Sequence, residues 1–563
     1  MQPVKVCYLV LAAWRSVRIA PSSRLLTPWC CCRFAQTGAT TEELPVIRVP
    51  VRLQKSAAKV KQTRSKNKLI TVKAGKLLIQ SKNPNLNQSA GYVFRKFEEP
   101  VLSSKGWKHK KSFGDYFTIK NTKTVAPFVV KNQERDGDQG TSVMFDKLKI
   151  CPELVEALKN INIIHPTSVQ LQTIPKVLSG HNVLCAAETG SGKTFCYLLP
   201  IVQRLHANQS SEMYGDIVDK VQALVLVPSR ELAQQVVSVS RSLCAPFSFV
   251  TKAVGGGRGV GRIKNVFKSR LPDILVATPG ALIKALRRHY LDLSNLSFMV
   301  VDEADTMFDP SFSEMLETIL CSANIAKDHT ETQGLGHRAQ LLVVGATFPG
   351  GVGEVLNQVT DISRMVVIKS KMLHFLMPHV KQTFLKIKGA EKVLELHQAL
   401  KLLQQEKGGG AVLVFCNKST TVDWLSYTLN DMGVRHARLQ GAMPAAVRVG
   451  IFQSFQKGMV DVLVCTDIAS RGVDTSRVHL VVNYDFPESH TDYIHRAGRV
   501  GRAGGVEDGE VLSFVTHPWD VELVQKIESA ARRGTRLPGM ESEIHQPKPK
   551  AEELHQESSF QSA

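Results

Sequence analysis

Val183-Leu184-Cys185-Ala186-Ala187 runs into Glu188-Thr189-Gly190-Ser191-Gly192-Lys193-Thr194 and then into the apolar stretch Phe195 to Leu205. The first five residues predict a short buried strand, the next seven a loop, and the last stretch a helix. A glycine loop of this kind, set between strand and helix and closed by Lys-Thr, is a phosphate-binding loop in its structural setting. Gly190 and Gly192 let backbone amides approach phosphate oxygens, and the helix N-terminus adds positive potential. Lys193 has the reach for β and γ oxygens, and Thr194 can ligate magnesium. The first glycine of the general pattern is replaced by Ala187.

A nucleotide site of this type needs an acidic residue at the end of a second buried strand. Ser297 to Val301 leads directly into Asp302-Glu303-Ala304-Asp305. In that geometry Asp302 holds magnesium through water, and Glu303 orients and deprotonates the attacking water. A surface acidic cluster capping a helix is the plainer reading. The apolar strand before it and the phosphate loop upstream favour the catalytic one.

Together these two stretches resemble the DEAD-box RNA helicases, and further family motifs follow in order. Pro166-Thr167-Ser168-Val169-Gln170, with Phe145 upstream, resembles the adenine-reading Q motif. Pro228 to Gln235, the doublet Gly255-Gly256, Thr278-Pro279-Gly280 and Gly345-Ala346-Thr347 resemble the remaining motifs of a first domain. Val414 to Lys418, Thr466 to Asp474 and His495 to Arg502 resemble those of a second. The resemblance covers roughly 141 to 535. It implies two tandem RecA-like α/β domains with mainly parallel sheets, ATP and Mg2+ as cofactors, and RNA as partner.

Residue by residue, the resemblance implies that Gln170 reads adenine while Phe145 stacks on it, and that Asp474 binds the ribose. Ala187, Glu188, Thr189, Gly190, Ser191, Gly192, Lys193 and Thr194 surround the phosphates, with Thr194 and Asp302 toward the metal. Arg499 and Arg502 act as arginine fingers supplied by the second domain, beside Lys193, Asp302 and Glu303 as catalytic groups. Arg230, Gly255, Gly256, Thr278, Pro279, Gly280, Arg448, Thr466 and Gly472 face the RNA sugar-phosphate backbone, offering charge, hydroxyl or amide rather than base-edge readers. Gly345, Ala346, Thr347 and His495 couple the two functions. Several positions depart from the family: Gly345 stands for Ser, Gln440 for His, Ala445 for an RNA-contacting Gln, Ala281 for Arg, Ser168 for Pro, and Asn162-Ile163 for Gly-Phe. The ATP side is intact and the RNA side thinned, which keeps open an ATP-gated RNA clamp or scaffold beside productive local unwinding. A metabolic phosphate-loop kinase would need neither Arg499 and Arg502 nor the RNA motifs.

Working outward, the 563 residues are 43% hydrophobic, enough for two to four folding units. No apolar run reaches the length of a membrane span. Eleven cysteines are scattered, without the paired spacing of a zinc site, as expected in a reducing compartment. The formal charge of +21 favours polyanionic partners, and it is concentrated: residues 1–140 hold 26 Lys/Arg against 8 Asp/Glu.

Residues 1–41 have no acid, with arginines among Leu, Val, Ala and Ser, and read as a mitochondrial transit peptide; a secretory signal and a cytosolic or nuclear basic tail are the competitors. The triplet Cys30-Cys31-Cys32 belongs to this leader. Residues 52–82 carry ten Lys/Arg and no acid, a tract that either lies solvated or neutralises phosphates. A second basic stretch after the glycine doublet, Arg258 to Arg270, offers the same two readings.

The expected organisation is a leader at 1–41, a basic and largely disordered N-terminal arm at 42–140, a first domain at 141–372, a second at 380–535 and a polar tail at 536–563, with compact structure beginning near Thr141. The expected place is the mitochondrial matrix, with a nuclear or nucleolar pool in addition, and the expected substrates are structured mitochondrial rRNA and ribosomal assembly intermediates. That target rests on analogy alone.

Overall fold

The computed structural model describes residues 76–540 apart from 96, 121–143, 212–219, 257–259, 269, 333–337, 349–351, 378, 408, 470–474, 503–504, 507 and 539. The leader, the basic tract up to residue 75, Gly472, Asp474, Arg258 and the tail from 541 lie outside the described residues.

The described residues open with three short strands, β1 (Leu77–Ser81), β2 (Gln88–Ser89) and β3 (Tyr116–Ile119). A first parallel sheet follows, from β4 (Val183–Ala186), β5 (Ala223–Leu226), β6 (Thr251–Val254), β7 (Ile274–Ala277), β8 (Phe298–Val301), β9 (Gln340–Gly345) and β10 (Val366–Lys369), in the order β10-β4-β9-β8-β5-β7-β6. The strands β4, β5, β7 and β8 are apolar and buried at every position, as expected where helices cover both faces. Alternation then decides the layer: Val183 and Cys185 join the core beneath the helices Ser168–Leu178 and Lys193–Ser211, whereas Leu184 and Ala186 join the opposite core with Leu282 and Leu316.

The second sheet contains β11 (Lys381–Lys386), β12 (Ala411–Phe415), β13 (His436–Leu439), β14 (Val462–Cys465), β15 (Val478–Asn483) and β16 (Glu510–Val515), ordered β13-β14-β12-β15-β16-β11 and all parallel. Both sheets end their strands at the motifs, where open parallel sheets bind ligands. No helix among the described residues is long and apolar enough to cross a membrane.

The expectation that compact structure begins near Thr141 is corrected by the N-terminal strands. β3 pairs antiparallel with β11 and β1 pairs with β3, so residues 77–119 extend the second sheet. The short apolar alternations of Leu77–Ser81 and Tyr116–Ile119 are enough to bury Ile79, Phe117 and Ile119 once β11 offers an edge. Trp107 is 1% exposed beside Phe117, which stacks on Phe384 at 4.7 Å, and Phe384 in turn stacks on Tyr493 at 5.7 Å.

The segment is locked by charge as well as by packing. Glu528 and Arg532, on the helix Asp520–Arg533, are buried and paired at 2.7 Å. The Glu528 carboxylate accepts from the amides of Ser103 and Ser104 at 2.7 and 3.0 Å and from the Ser104 hydroxyl at 2.6 Å. Arg532 donates to the Leu86 carbonyl and the Ser103 hydroxyl at 3.0 and 2.9 Å. A buried pair bonded on both sides this fully is destabilising chiefly when halved. Glu528→Ala is therefore expected to cost about 3 kcal/mol or more in urea unfolding and to open residues 85–105 to protease; unchanged stability and cleavage would remove the lock from the fold.

Candidate nucleotide and nucleic-acid site

The loop after β4 turns twice through left-handed backbone, at Gly190 (φ 80°) and Gly192 (φ 83°), and hands its last residue to the helix Lys193–Ser211. Lys193 Nζ donates to the carbonyls of Ala187 and Glu188 at 2.9 and 3.0 Å, so the loop is drawn around the ammonium. Thr167 caps the helix Ser168–Leu178, donating its hydroxyl to the Ser191 carbonyl at 2.8 Å. Gln170 accepts from the Thr167 amide at 2.9 Å and donates to the Gly192 carbonyl at 3.0 Å. Gln170 thus braces the loop, with its amide already engaged at both ends. Phe145 differs from the expectation: at 1% exposure in the first-domain core, it anchors its 3₁₀ turn and offers no ring face for stacking.

β8 delivers Asp302 into full burial. Its carboxylate accepts from the Tyr197 hydroxyl and the Glu303 amide, both at 2.8 Å. Burial first, and then the Glu303 charge, push its pKa up to about 6. Because the folded-state value lies above the unfolded one, this group contributes stability below pH 4 that is lost as pH rises through about 6. Glu303 itself sits in left-handed backbone (φ 52°) and is buried. Its Oε2 has no hydrogen-bond partner among the described residues, nor has Glu188 Oε2; the other Glu188 oxygen accepts from Ser370 at 2.7 Å. Buried carboxylate oxygens beside a glycine cradle fit a hydrated cation and polyphosphate. Thr194 stands in the first turn of the helix after the loop and Asp302 directly follows β8, hard-oxygen groups of the kind suited to magnesium.

The second domain closes this site through the helix His490–Ala497 and the turn after it. His495 Nε2 lies 2.5 Å from Asp305 Oδ2, both buried, joining the two acidic-motif and arginine-motif segments. Gly498 packs directly on Thr189, and a Cβ at Gly190 would lie 2.6 Å from Arg502 Cγ, so both glycines are required by close approach. Arg499 is 1% exposed, with Nε donating to the His495 carbonyl at 3.1 Å; Arg502 Nε donates likewise to Gly498 at 3.1 Å. Beneath them Arg496 grips Asp467 with two bonds of 2.7 Å and also reaches Asn417 Oδ1 and the Asp485 carbonyl, tying three second-domain motifs together. The linker joins in, with His379 Nε2 2.8 Å from the Gly501 carbonyl.

On the nucleic-acid side, Arg230 lies across Gly255, donating to its carbonyl at 3.0 Å, and the Gly256 amide donates to the Thr278 hydroxyl at 3.1 Å. Pro279 and Gly280 open the next helix, and Thr466 follows β14. Arg448, expected to hold a phosphate, instead turns its Nε to within 3.0 Å of Glu231 of the first domain, whose side chain is 2% exposed. The helices Arg230–Cys244 and Ala445–Gln456 are thereby joined. Gly345 is explained by packing, since a Cβ there would meet Ala304 Cβ and the Thr347 carbonyl at 3.1 Å. Ala346 and Thr347 follow it, buried, at the end of β9. Gln440 donates to both Asp423 oxygens, at 2.8 and 2.9 Å. Tyr197, Glu231, Asp305 and Arg496 are site residues that reading by motif left out, although three of them lie inside the motifs quoted.

Residues 167–355 match the DEAD/DEAH box helicase family and 391–504 the helicase conserved C-terminal domain. The chain is similar to the probable ATP-dependent RNA helicase DDX28 of Homo sapiens, 48% identical over 520 residues, covering 91% of this chain and 94% of that one. The DDX28 protein of Mus musculus is 47% identical over 518 residues, covering 90% and 94%. Among solved structures, Mss116p bound to ssRNA and AMP-PNP has a TM-score of 0.60 at 23% identity, covering 75% of this chain and 82% of that one, a likeness of fold.

Two outcomes follow from the acidic strand. Asp302→Asn should melt a few degrees above the natural protein at pH 8, the gap closing toward pH 4, because it removes a charge that burial opposes; a lower melting temperature at pH 8 would refute that origin. Glu303→Gln should keep nucleotide affinity but lose turnover, and normal turnover in a single-turnover assay would exclude Glu303 as the base.

Proposed function

Because the chain belongs to the DEAD-box family of ATP-dependent RNA helicases, we propose that its two domains form a clamp in which ATP and RNA are gripped by opposite sides of one seam. The observation that carries this reading is the seating of the His490–Ala497 helix on the phosphate loop, with His495 against Asp305 and Gly498 against Thr189.

In this reading the phosphates lie between the Gly190–Gly192 backbone and Lys193 on one side and Arg499 and Arg502 on the other. Lys193 exchanges its two loop carbonyls for phosphate oxygens, and Arg499 and Arg502 meet charge that develops in the transition state. Thr194 and Asp302 would hold magnesium, which supplies charge neutralisation at the β and γ oxygens when bound. Glu303, whose Oε2 lacks a partner among the described residues, orients the attacking water and takes its proton. Gln170 senses the base end of the nucleotide through the same amide that braces Gly192.

RNA lies on the far side of the seam, across Arg230, Gly255, Gly256, Thr278, Gly280 and Thr466, with Arg448 joining the clamp through Glu231 rather than through a phosphate alone. Contacts of this kind address the backbone and are independent of sequence. Gly345, with Ala346 and Thr347, stands between the acidic motif and the RNA side. The composition of residues 1–41 supports a mitochondrial destination, and structured rRNA within ribosomal assembly intermediates is the substrate proposed there.

Steady-state ATP hydrolysis with and without RNA tests the reading. RNA should stimulate turnover, and Arg499→Ala should lower it by about 10³-fold. Stimulation without strand displacement would leave an ATP-gated clamp, and hydrolysis indifferent to RNA would defeat the proposal.

A further inference from the structure

Residues 76–120 contain nine Lys/Arg and three Asp/Glu, yet they are folded, which fixes where those charges point. The stretch Lys105-Gly106-Trp107-Lys108-His109-Lys110-Lys111 is a turn pinned by one side chain. Trp107, 1% exposed, sits in the core against Phe117 at 5.5 Å. The turn's backbone is bonded within itself: the Trp107 amide to the Ser104 carbonyl at 3.1 Å, the His109 amide to Gly106 at 3.1 Å, and the Lys111 amide to His109 Nδ1 at 3.1 Å. Lys105, Lys108, His109, Lys110 and Lys111 are all exposed around this anchor. Lys108 meets Glu522 at 2.9 Å in an exposed pair, whereas Lys105, Lys110 and Lys111 have no carboxylate partner among the described residues. Lys388, just past β11, stands beside the turn with its ammonium 5.9 Å from the Phe113 ring centroid and 3.5 Å from Glu391 Oε1.

Strand direction places this turn. β3 is antiparallel to β11, with Tyr116 opposite Leu385, so the turn before β3 leaves the sheet at the edge where β11 ends. Through the registers Lys386 with Val515, Asn483 with Ser513, Phe415 with Asn483 and Phe415 with Cys465, that is also the edge where β12, β14 and β15 end. Thr466 leaves β14 there. Five strand spacings separate β3 from β14 in the sheet, roughly 24 Å at the usual interstrand distance. A basic turn on the same edge, but that far to the side, lies beyond the strand held in the clamp.

We propose that the turn Lys105–Lys111 is a second RNA-binding surface, which takes the phosphate backbone of RNA that continues out of the clamp. The inference rests on the RNA reading above. The partner class follows from charge: lysines on a fixed backbone neutralise phosphates without reading bases. Such a surface offsets RNA-side contacts missing from the core, and it biases the enzyme toward RNA whose structure extends past the unwound strand.

The test uses the full chain carrying Lys105→Ala, Lys110→Ala and Lys111→Ala together, with Lys369→Ala, Lys401→Ala and Lys457→Ala as a charge-matched variant of other exposed positions. Affinity is measured for a single strand that just fills the clamp and for the same strand continued into a hairpin. The turn variant should bind the hairpin-extended RNA about tenfold more weakly, with a log-log salt slope smaller by roughly two to three. It should keep its affinity for the short strand and its ATP turnover at saturating RNA. Lys→Glu changes at the three turn positions should deepen the loss without lowering the melting temperature. Equal affinity for hairpin-extended RNA, or a loss shared by the short strand or by the charge-matched variant, would overturn the proposal. Failure of the RNA reading itself is distinguishable, since the natural protein would then show no RNA stimulation with either RNA.

Discussion

The buried contact of His495 with Asp305 is the one on which the rest of the site depends. It brings a second-domain helix to the acidic motif of the first, and a cluster of close approaches gathers within a few residues of it, Gly498 on Thr189, Arg502 on Gly190 and the linker residue His379 on Gly501, while Arg448 on Glu231 joins the domains on the other side. A polar contact this buried stabilises closure only while both partners are present and aligned. Arg496 meets the same requirement from behind, by fixing Asp467 and Asn417 on the sheet that carries the helix.

The parts of this arrangement that were legible in the sequence are those written contiguously. Val183 to Thr194 and Ser297 to Asp305 spell strand, loop and helix within one short window, so the phosphate loop and the acidic strand could be placed from local chemistry. Contacts between distant segments leave no periodic signal. Nothing in Glu231 or Arg448 alone announces that they meet at 3.0 Å, and a family-based reading of Arg448 assigns it to phosphate. Phe145 shows the opposite error, in which a motif role displaced the more ordinary fate of an aromatic in a core.

The N-terminal strands were obscured by their surroundings. Leu77–Ser81 and Tyr116–Ile119 are too short to stand out among lysines, and each becomes a strand only because β11 presents an unpaired edge. In the sequence Glu528 and Arg532 are only an acid and a base four residues apart. In the structure they are the anchor for Ser103 and Ser104, more than four hundred residues earlier in the chain. Net charge described residues 77–119 correctly as basic, but compact structure begins before the expected Thr141.

That separation has a consequence for biosynthesis. β3 leaves the ribosome long before β11, about 260 residues ahead, and Ser103 precedes Glu528 by 425 positions. At roughly 5–20 residues per second, the first strands wait about 13–50 s for the edge they complete, and longer for the carboxylate that fastens them. During that interval Trp107 and Phe117 have no native surface to bury against, while the first domain can already fold between them and their destination. The last part of the enzyme to become native is therefore among the first to be made, and a chain truncated before the helix Asp520–Arg533 would leave its own beginning unfastened.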